Sequence, residues 1–159
     1  MRRATINDAE AIRRIYNIEV TTSTVTFDMV PRTLEEQQAW LIDRRGAHAV
    51  LVAEADGEIW GFGSLSPFRE RAAYNTTVED SVYVDRARQG QGVGKGLLAA
   101  LVDTATSHGF HSVVARIVGG HDASIALHAA LGFDHVGVEK EVGRKHRKWL
   151  DVVIMQRMV

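Results

Sequence analysis

The sequence predicts one mixed β-sheet covered by helices, in the α/β or α+β class. Three observations point there. Asp56-Gly57 separates two apolar runs, residues 50–55 and 59–65, and Asp-Gly between such runs is a strong hairpin signal. Strand-like and helix-like runs then alternate as β-α-β-α-β from residue 78 onward. Residues 133–142 and 149–158 close the chain as a second hairpin.

In chain order, residues 2–6 read as a short first strand. Asn7 caps a helix with Glu10 three residues on, and Ile12, Ile15 and Tyr16 form its apolar face. Residues 21–30 have no helical period and are expected to be irregular or extended. Thr33 and Glu36 form a capping box for a second helix, with Leu34, Trp40 and Leu41 as core contacts. Residues 67–75 form a polar loop carrying Arg69, Glu70, Arg71 and Tyr74. Residues 78–84 are a strand. Leu97, Leu98, Leu101, Val102 and Ala105 share one face of the next helix, which stops at Gly109. A strand at 112–118 ends at Gly119-Gly120. A short helix then starts at Asp122 or Ala123 and runs to Leu131, with Gly132 as its stop. Arg144, Lys145, His146, Arg147 and Lys148 are read as a basic loop between the last two strands.

The 159 residues suit a single domain, 1–159, large enough for its own core. With no Cys there are no disulfides and no thiolate chemistry, and a net charge of −1 gives no reason to expect nucleic acid as a partner. No run looks like a signal or a membrane span, so a soluble cytoplasmic protein without membrane association is expected. The histidines show no metal-ligand spacing, so no metal is expected.

Residues 89–96 (Gln-Gly-Gln-Gly-Val-Gly-Lys-Gly) lie between a strand and a helix. Glycines there let backbone N–H groups approach an anion, and the helix dipole adds positive charge. The Walker pattern fails, because Gln89 stands at its first glycine and Gly96 at its Ser/Thr. The dinucleotide pattern also fails, its third glycine falling on Lys95 or Leu97. Gln-x-x-Gly-x-Gly fits, with Gln89, Gly92 and Gly94 in register.

Glu79, in the strand before this turn, shares a face with Ser81 and Tyr83; Asp80 points the other way and is the weaker candidate. A partly buried carboxylate there could take a proton from an amine, although a solvated strand glutamate fits the pattern too. His128 is either a core histidine or a functional one on the short helix. Arg69, Arg71, Lys145 and Arg147 flank possible pocket loops and are either solvated charges or, for the arginines, forks suited to a carboxylate or phosphinate. Phe27 and Tyr74 either wall a small pocket or anchor their loops.

The glycine turn resembles the pyrophosphate loop of the GNAT superfamily. Nearly the whole chain resembles its phosphinothricin N-acetyltransferases and the related methionine sulfone and sulfoximine acetyltransferases. The likeness is carried by Thr21-Thr22-Ser23-Thr24-Val25-Thr26-Phe27, Arg71-Ala72-Ala73-Tyr74 and Thr77-Val78-Glu79-Asp80-Ser81-Val82-Tyr83-Val84. Ser124-Ile125-Ala126-Leu127-His128-Ala129-Ala130-Leu131-Gly132 and the pattern Lys145-His146…Trp149…Asp151-Val152 carry it further.

The resemblance implies a GNAT fold, acetyl-CoA as co-substrate, and direct transfer to a small amine acceptor. It implies Glu79 as general base and His128 as a catalytic histidine. Val82, Tyr83 and Val84 would hold the pantetheine and thioester, and Gln89, Gly90, Gln91, Gly92, Val93, Gly94 and Lys95 the pyrophosphate. Phe27, Arg71, Ala72, Ala73 and Tyr74 would contact the acceptor. His121 stands where relatives carry an Asn near the coenzyme. The resemblance further implies a homodimer. Another amine acceptor (a polyamine, an aminoglycoside or a protein N-terminus) or a non-catalytic coenzyme-binding sensor are the alternatives.

Overall fold

β1 (Arg2–Arg3) is shorter than predicted because Thr5 leaves the strand to cap a 3₁₀ turn over Ile6–Asp8. Its backbone N–H donates to Asp8 Oδ2 at 2.7 Å, a capping box two residues ahead of the expected Asn7 cap. Arg2 also grips Asp8 with two hydrogen bonds of 2.8 Å, and that pairing holds the carboxyl down at about pKa 2. Glu10, the expected partner of Asn7, instead pairs with Arg13 at 2.8 Å. The computed structural model describes residues 1–44 and 46–159.

After that single turn, α1 (Ala9–Thr22) buries Ile12, Ile15, Tyr16 and Val20. It takes in Thr21 and Thr22, which the sequence assigned to the loop. α2 (Leu34–Asp43) starts at the predicted Thr33–Glu36 capping box. Leu34 is 37 % exposed rather than in the core, and the fully buried side chain of this helix is Gln37. Its amide oxygen accepts from Arg32 at 3.3 Å, which offsets part of the cost of burying it.

β2 (Val50–Ala55) and β3 (Glu58–Pro67) form the expected hairpin, with positive φ at Asp56 and Gly57 as a two-residue hairpin turn requires. A polar loop leads to β4 (Thr77–Val84), then come α3 (Val93–Ser107), β5 (Ser112–Val118) and α4 (Asp122–Ala130). β6 (Asp134–Lys145) and β7 (Lys148–Met158) are longer than predicted. The basic stretch is not a loop: His146 and Arg147, both at positive φ, make a tight turn, while Arg144, Lys145 and Lys148 lie in strands.

The sheet has seven strands in the order β1-β2-β3-β4-β5-β7-β6. It is antiparallel except where β4 runs parallel to β5, and β7 inserts between β5 and β6. One face packs Ile12, Ile15, Tyr16 and Val20 of α1 on Val50, Val52 and Phe62. The other packs Leu97, Leu98, Leu101 and Val102 of α3 on Leu65, Val78, Val113 and Met155. A Cβ on Gly63 would fall 2.8 Å from Leu101 Cδ1, so glycine there lets α3 lie close on β3.

Candidate active site

The site begins where a ladder ends. β4 and β5 pair from Thr77↔Ser112 to Asp80↔Ala115 and no further, although β4 runs on to Val84 and β5 to Val118. The two strands fork, and backbone groups on the inner edge of β4 lose their strand partner. A cavity of about 130 Å³ fills the fork between Asp80–Val84 and Ala115–Val118, with Glu19, Val25 and His128 on its walls. Val82, Val84, Gln89, His121 and Ser124 also line a second hollow of about 370 Å³ that opens onto the glycine turn.

In that turn Gly90 has φ +74° and Gly92 φ +80°, with nothing within 4 Å of an added Cβ at either. The backbone conformation, not space, calls for glycine at both. Gly92 is the N-cap of α3, and the first bond within the helix is Gly96 N–H to Gly92 carbonyl at 3.0 Å. The amides of Val93, Gly94 and Lys95 therefore have no carbonyl one turn back within the helix and sit at its positive end. The Val93 side chain is buried. The Gln91 side chain bends back to the Ala87 carbonyl at 3.3 Å.

At the inner end of the fork His128 is 4 % exposed, its ring edge-on to Phe133 at 5.0 Å. Its Nδ1 lies 2.7 Å from the Ser124 carbonyl oxygen and its Nε2 lies 3.1 Å from Asp80 Oδ2. Burial opposes a charge on the ring, but the hydrogen bond and charge of Asp80 outweigh it and raise the His128 pKa above its ordinary value. Asp80, read from the sequence as the weaker carboxylate, is thus a wall of the cavity.

These features have counterparts in known proteins. The acetyltransferase (GNAT) family matches residues 12–133. This chain belongs to the GNAT family. The L-methionine sulfoximine/L-methionine sulfone acetyltransferase of Pseudomonas aeruginosa is 40 % identical over 158 residues, 98 % of this chain and 92 % of that protein. A phosphinothricin acetyltransferase of Sinorhizobium meliloti, solved in complex with acetyl-CoA, superposes with a TM-score of 0.95 at 38 % identity. That match covers 99 % of this chain and 86 % of the other. A ribosomal-protein-alanine N-acetyltransferase from Brucella melitensis superposes at 0.97, also 38 % identical, covering 99 % and 98 %. The seven-stranded mixed sheet with its four helices is a GNAT fold, and the protein is an acyltransferase.

The remaining predicted residues of this GNAT protein scatter. Glu79 is half-buried beside Ser66 and Val114, on the strand face it shares with Ser81 and Tyr83, one residue short of the stretch of β4 that lines the cavity. Desolvation raises its pKa, with Arg116 pulling the other way. Tyr83 sends its ring into the core under α1, stacked on Phe62 at 5.2 Å and edge-on to Tyr16 at 5.1 Å. His121 precedes α4 and lines both hollows; burial lowers its pKa despite the nearby Glu19.

Phe27 is 41 % exposed and lays its ring on Gly143, so Val25 rather than Phe27 reaches the cavity. Arg71, Ala72, Ala73 and Tyr74 form an exposed 3₁₀ turn with its N-cap; Arg71 and Tyr74, with Arg69 and Glu70, line a separate hollow outside the fork. Among the described residues no group of three His, Asp or Glu side chains is placed to hold a metal.

Sequence reasoning did not single out Glu19 or Ser124, named Phe27 rather than Val25 in its loop, and ranked Asp80 below Glu79. For Asp80 a signal existed, since alternation placed it with Val78 and Val82 on the face toward α4.

Proposed function

We propose that this protein transfers the acetyl group of acetyl-CoA to the amino group of a small amino-acid-like acceptor of the phosphinothricin, methionine sulfoximine or methionine sulfone type. The observation that carries the reading is the β4–β5 fork, continuous through Val82, Val84, Gln89, His121 and Ser124 with the glycine turn. The glycine turn with its unpaired helix amides suits a pyrophosphate, and the fork continuous with it suits the reactive end of the same molecule. The names of the P. aeruginosa and S. meliloti proteins supply the acceptor class.

In this reading the amides of Val93, Gly94 and Lys95, with the turn from Gln89 to Gly92, hold the pyrophosphate. Unpaired backbone of Val82–Val84 binds the pantetheine and polarises the thioester carbonyl. The acceptor enters from the α1 face, past Val25, and its free amine attacks the carbonyl carbon. As the C–N bond forms, the C–S bond breaks and its electron pair leaves on sulfur, a tolerable leaving group because thiols ionise near ~8.5. Glu79, its proton affinity raised by desolvation, takes the amine proton. In this reading His128, which lines the fork and contacts Asp80, is the catalytic histidine. The protein works as a homodimer in the cytoplasm, and among its described helices none is long and apolar enough to cross a membrane.

One observation favours a second reading, acetylation of a protein N-terminus: the likeness to the B. melitensis protein. Thiol release from acetyl-CoA, measured with phosphinothricin, methionine sulfoximine, methionine sulfone, spermidine and a peptide, separates the two. Turnover confined to the first three is the expected result. Turnover with the peptide or spermidine alone overturns the amino-acid reading.

A further inference from the structure

Besides its two histidines, the fork is bordered by three charged residues: Glu19 from α1, Asp80 from β4 and Arg116 from β5. Asp80 is sealed, its side chain 1 % exposed and turned to His128. Arg116 reaches past β7 to pair with Glu139 of β6. Glu19, with its side chain 13 % exposed, is the acidic group that the fork still presents among the described residues. Its carboxylate and the ring of His121, which lines both hollows, act on one another's charge, so the acid lies on the cavity side of α1. Burial works against that charge. Hydrogen bonds from Arg86 and Ser23, with the charge of Arg86, outweigh it and hold the Glu19 pKa below its ordinary value.

Glu19 thus stands ionised beside the α1 face, by which the acceptor is proposed to enter. An amino-acid acceptor brings a carboxylate of its own. Like charges brought together in a cleft with little water repel, so a bare Glu19 would oppose such acceptors and favour a polycation. Arg86 answers that charge. It lies in the single turn Arg86–Arg88 between β4 and the glycine turn. Its Nε donates to Glu19 Oε1 at 2.7 Å and its Nη2 to Oε2 at 3.1 Å, and Nη2 also donates to Thr22 Oγ1 at 2.8 Å. A two-pronged grip with a third bond to the same helix end is far better fixed than an ordinary surface ion pair.

We propose that Arg86 is a specificity-determining residue of this site: by occupying both oxygens of Glu19 it cancels the negative charge on the acceptor side of the fork, and so admits acceptors that carry a carboxylate or phosphinate. It acts through Glu19 and makes no contact with the acceptor. The inference rests on the amino-acid acetylation reading and adds to it the charge balance that selects the acceptor.

The test measures kcat/KM for phosphinothricin and for methionine sulfone by thiol release at saturating acetyl-CoA. Phosphinothricin carries a phosphinate beside its carboxylate, and methionine sulfone a carboxylate alone. Arg86→Met keeps a long apolar stem and removes the charge. The expected result is a fall of about tenfold for phosphinothricin and a smaller fall for methionine sulfone. Adding Glu19→Gln to Arg86→Met removes the unmasked charge and should bring both acceptors back to within about threefold of the unaltered protein. Arg86→Lys, which keeps the charge, should stay within the same range. If the methionine chain does not fold, Arg86→Gln takes its place with the same expected losses. Unchanged values in the uncharged variant, equal losses for the two acceptors, or a loss that Glu19→Gln does not restore overturns this inference alone. An unaltered protein that turns over neither acceptor overturns the amino-acid reading and this inference with it.

Discussion

His128 and Asp80, 48 residues apart in the chain, meet at 3.1 Å across the inner end of the β4–β5 fork. Packing of α4 against β5 makes that contact, and the pair closes one end of a cavity otherwise bordered by β4, β5, Glu19, Val25, Gln89 and His121. A histidine and a carboxylate buried together hold one another's charge, and removing either strands the other. The functional consequence is that the two are one unit.

Glu79 is the proposed base, and its pKa is raised by desolvation. A raised carboxyl pKa means that the base form is lost at a higher pH than for a free glutamate. The acid limb of kcat/KM for the acceptor is therefore expected above the ordinary carboxylate range of about 4.3. Glu79→Gln should remove that limb and lower kcat/KM by about 10²- to 10⁴-fold. A Glu79→Gln protein with full activity would sink the assignment.

Gly92 at φ +80° caps α3 and shapes the glycine turn proposed to hold the pyrophosphate. Gly92→Ala forces an L side chain into the left-handed region at a cost of about 1–2 kcal/mol. Coenzyme A binding, measured by calorimetry, should weaken by about tenfold, whereas Gly137→Ala, with ordinary φ and open space around it, should leave binding unchanged.

Gly143 lies under the Phe27 ring so closely that an added Cβ would overlap it. The loop before Phe27 carries Val25 into the cavity, and Lys145 Nζ ties the same loop down by donating to the Thr26 carbonyl at 2.8 Å. Gly143→Ala must displace the ring, with an overpacking cost of about 1–3 kcal/mol. Thermal unfolding should show that loss, and the KM for the acceptor should rise while that for acetyl-CoA stays constant.

Asp8 is held near pKa 2 by Arg2, below the roughly 3.9 of an unfolded chain. A depressed carboxyl stabilises the fold fully above the unfolded value and ceases to do so as pH falls through the folded one. Arg2→Met should therefore lower stability at pH 7 by roughly 1–2 kcal/mol, the figure being discounted because Arg2 is 41 % exposed. The gap between the two proteins should close as pH drops from about 4 to 2. Urea unfolding at pH 7, 4 and 2 measures it, and a gap independent of pH would contradict the pairing.

Much of the fold is written locally. Asp56-Gly57 determines its hairpin because few other residue pairs tolerate two positive φ values in succession, and residues 50–55 and 112–118 are strands to their predicted ends. Leu97, Leu98, Leu101, Val102 and Ala105 repeat at helical spacing and are all buried. Gly90 and Gly92 mark the turn before α3 through backbone requirements that need no partner.

What tertiary structure alone decided is where strands stop pairing. Alternation put Glu79 and Asp80 on opposite faces, but a two-residue period carries no information about where a neighbouring strand stops pairing; the ladder ends at Asp80↔Ala115, and residues of both faces of β4 border the space beyond it. Lys145 reads as a loop cation in a run of five basic residues. It is 2 % exposed because the hairpin turn lies one residue beyond it and the Thr26 carbonyl waits opposite. Thr26 and Lys145, like Asp80 and His128, meet through contacts distant in the chain, and such contacts leave no periodic trace in a sequence. Local rules name the elements, and only their packing creates the space between them.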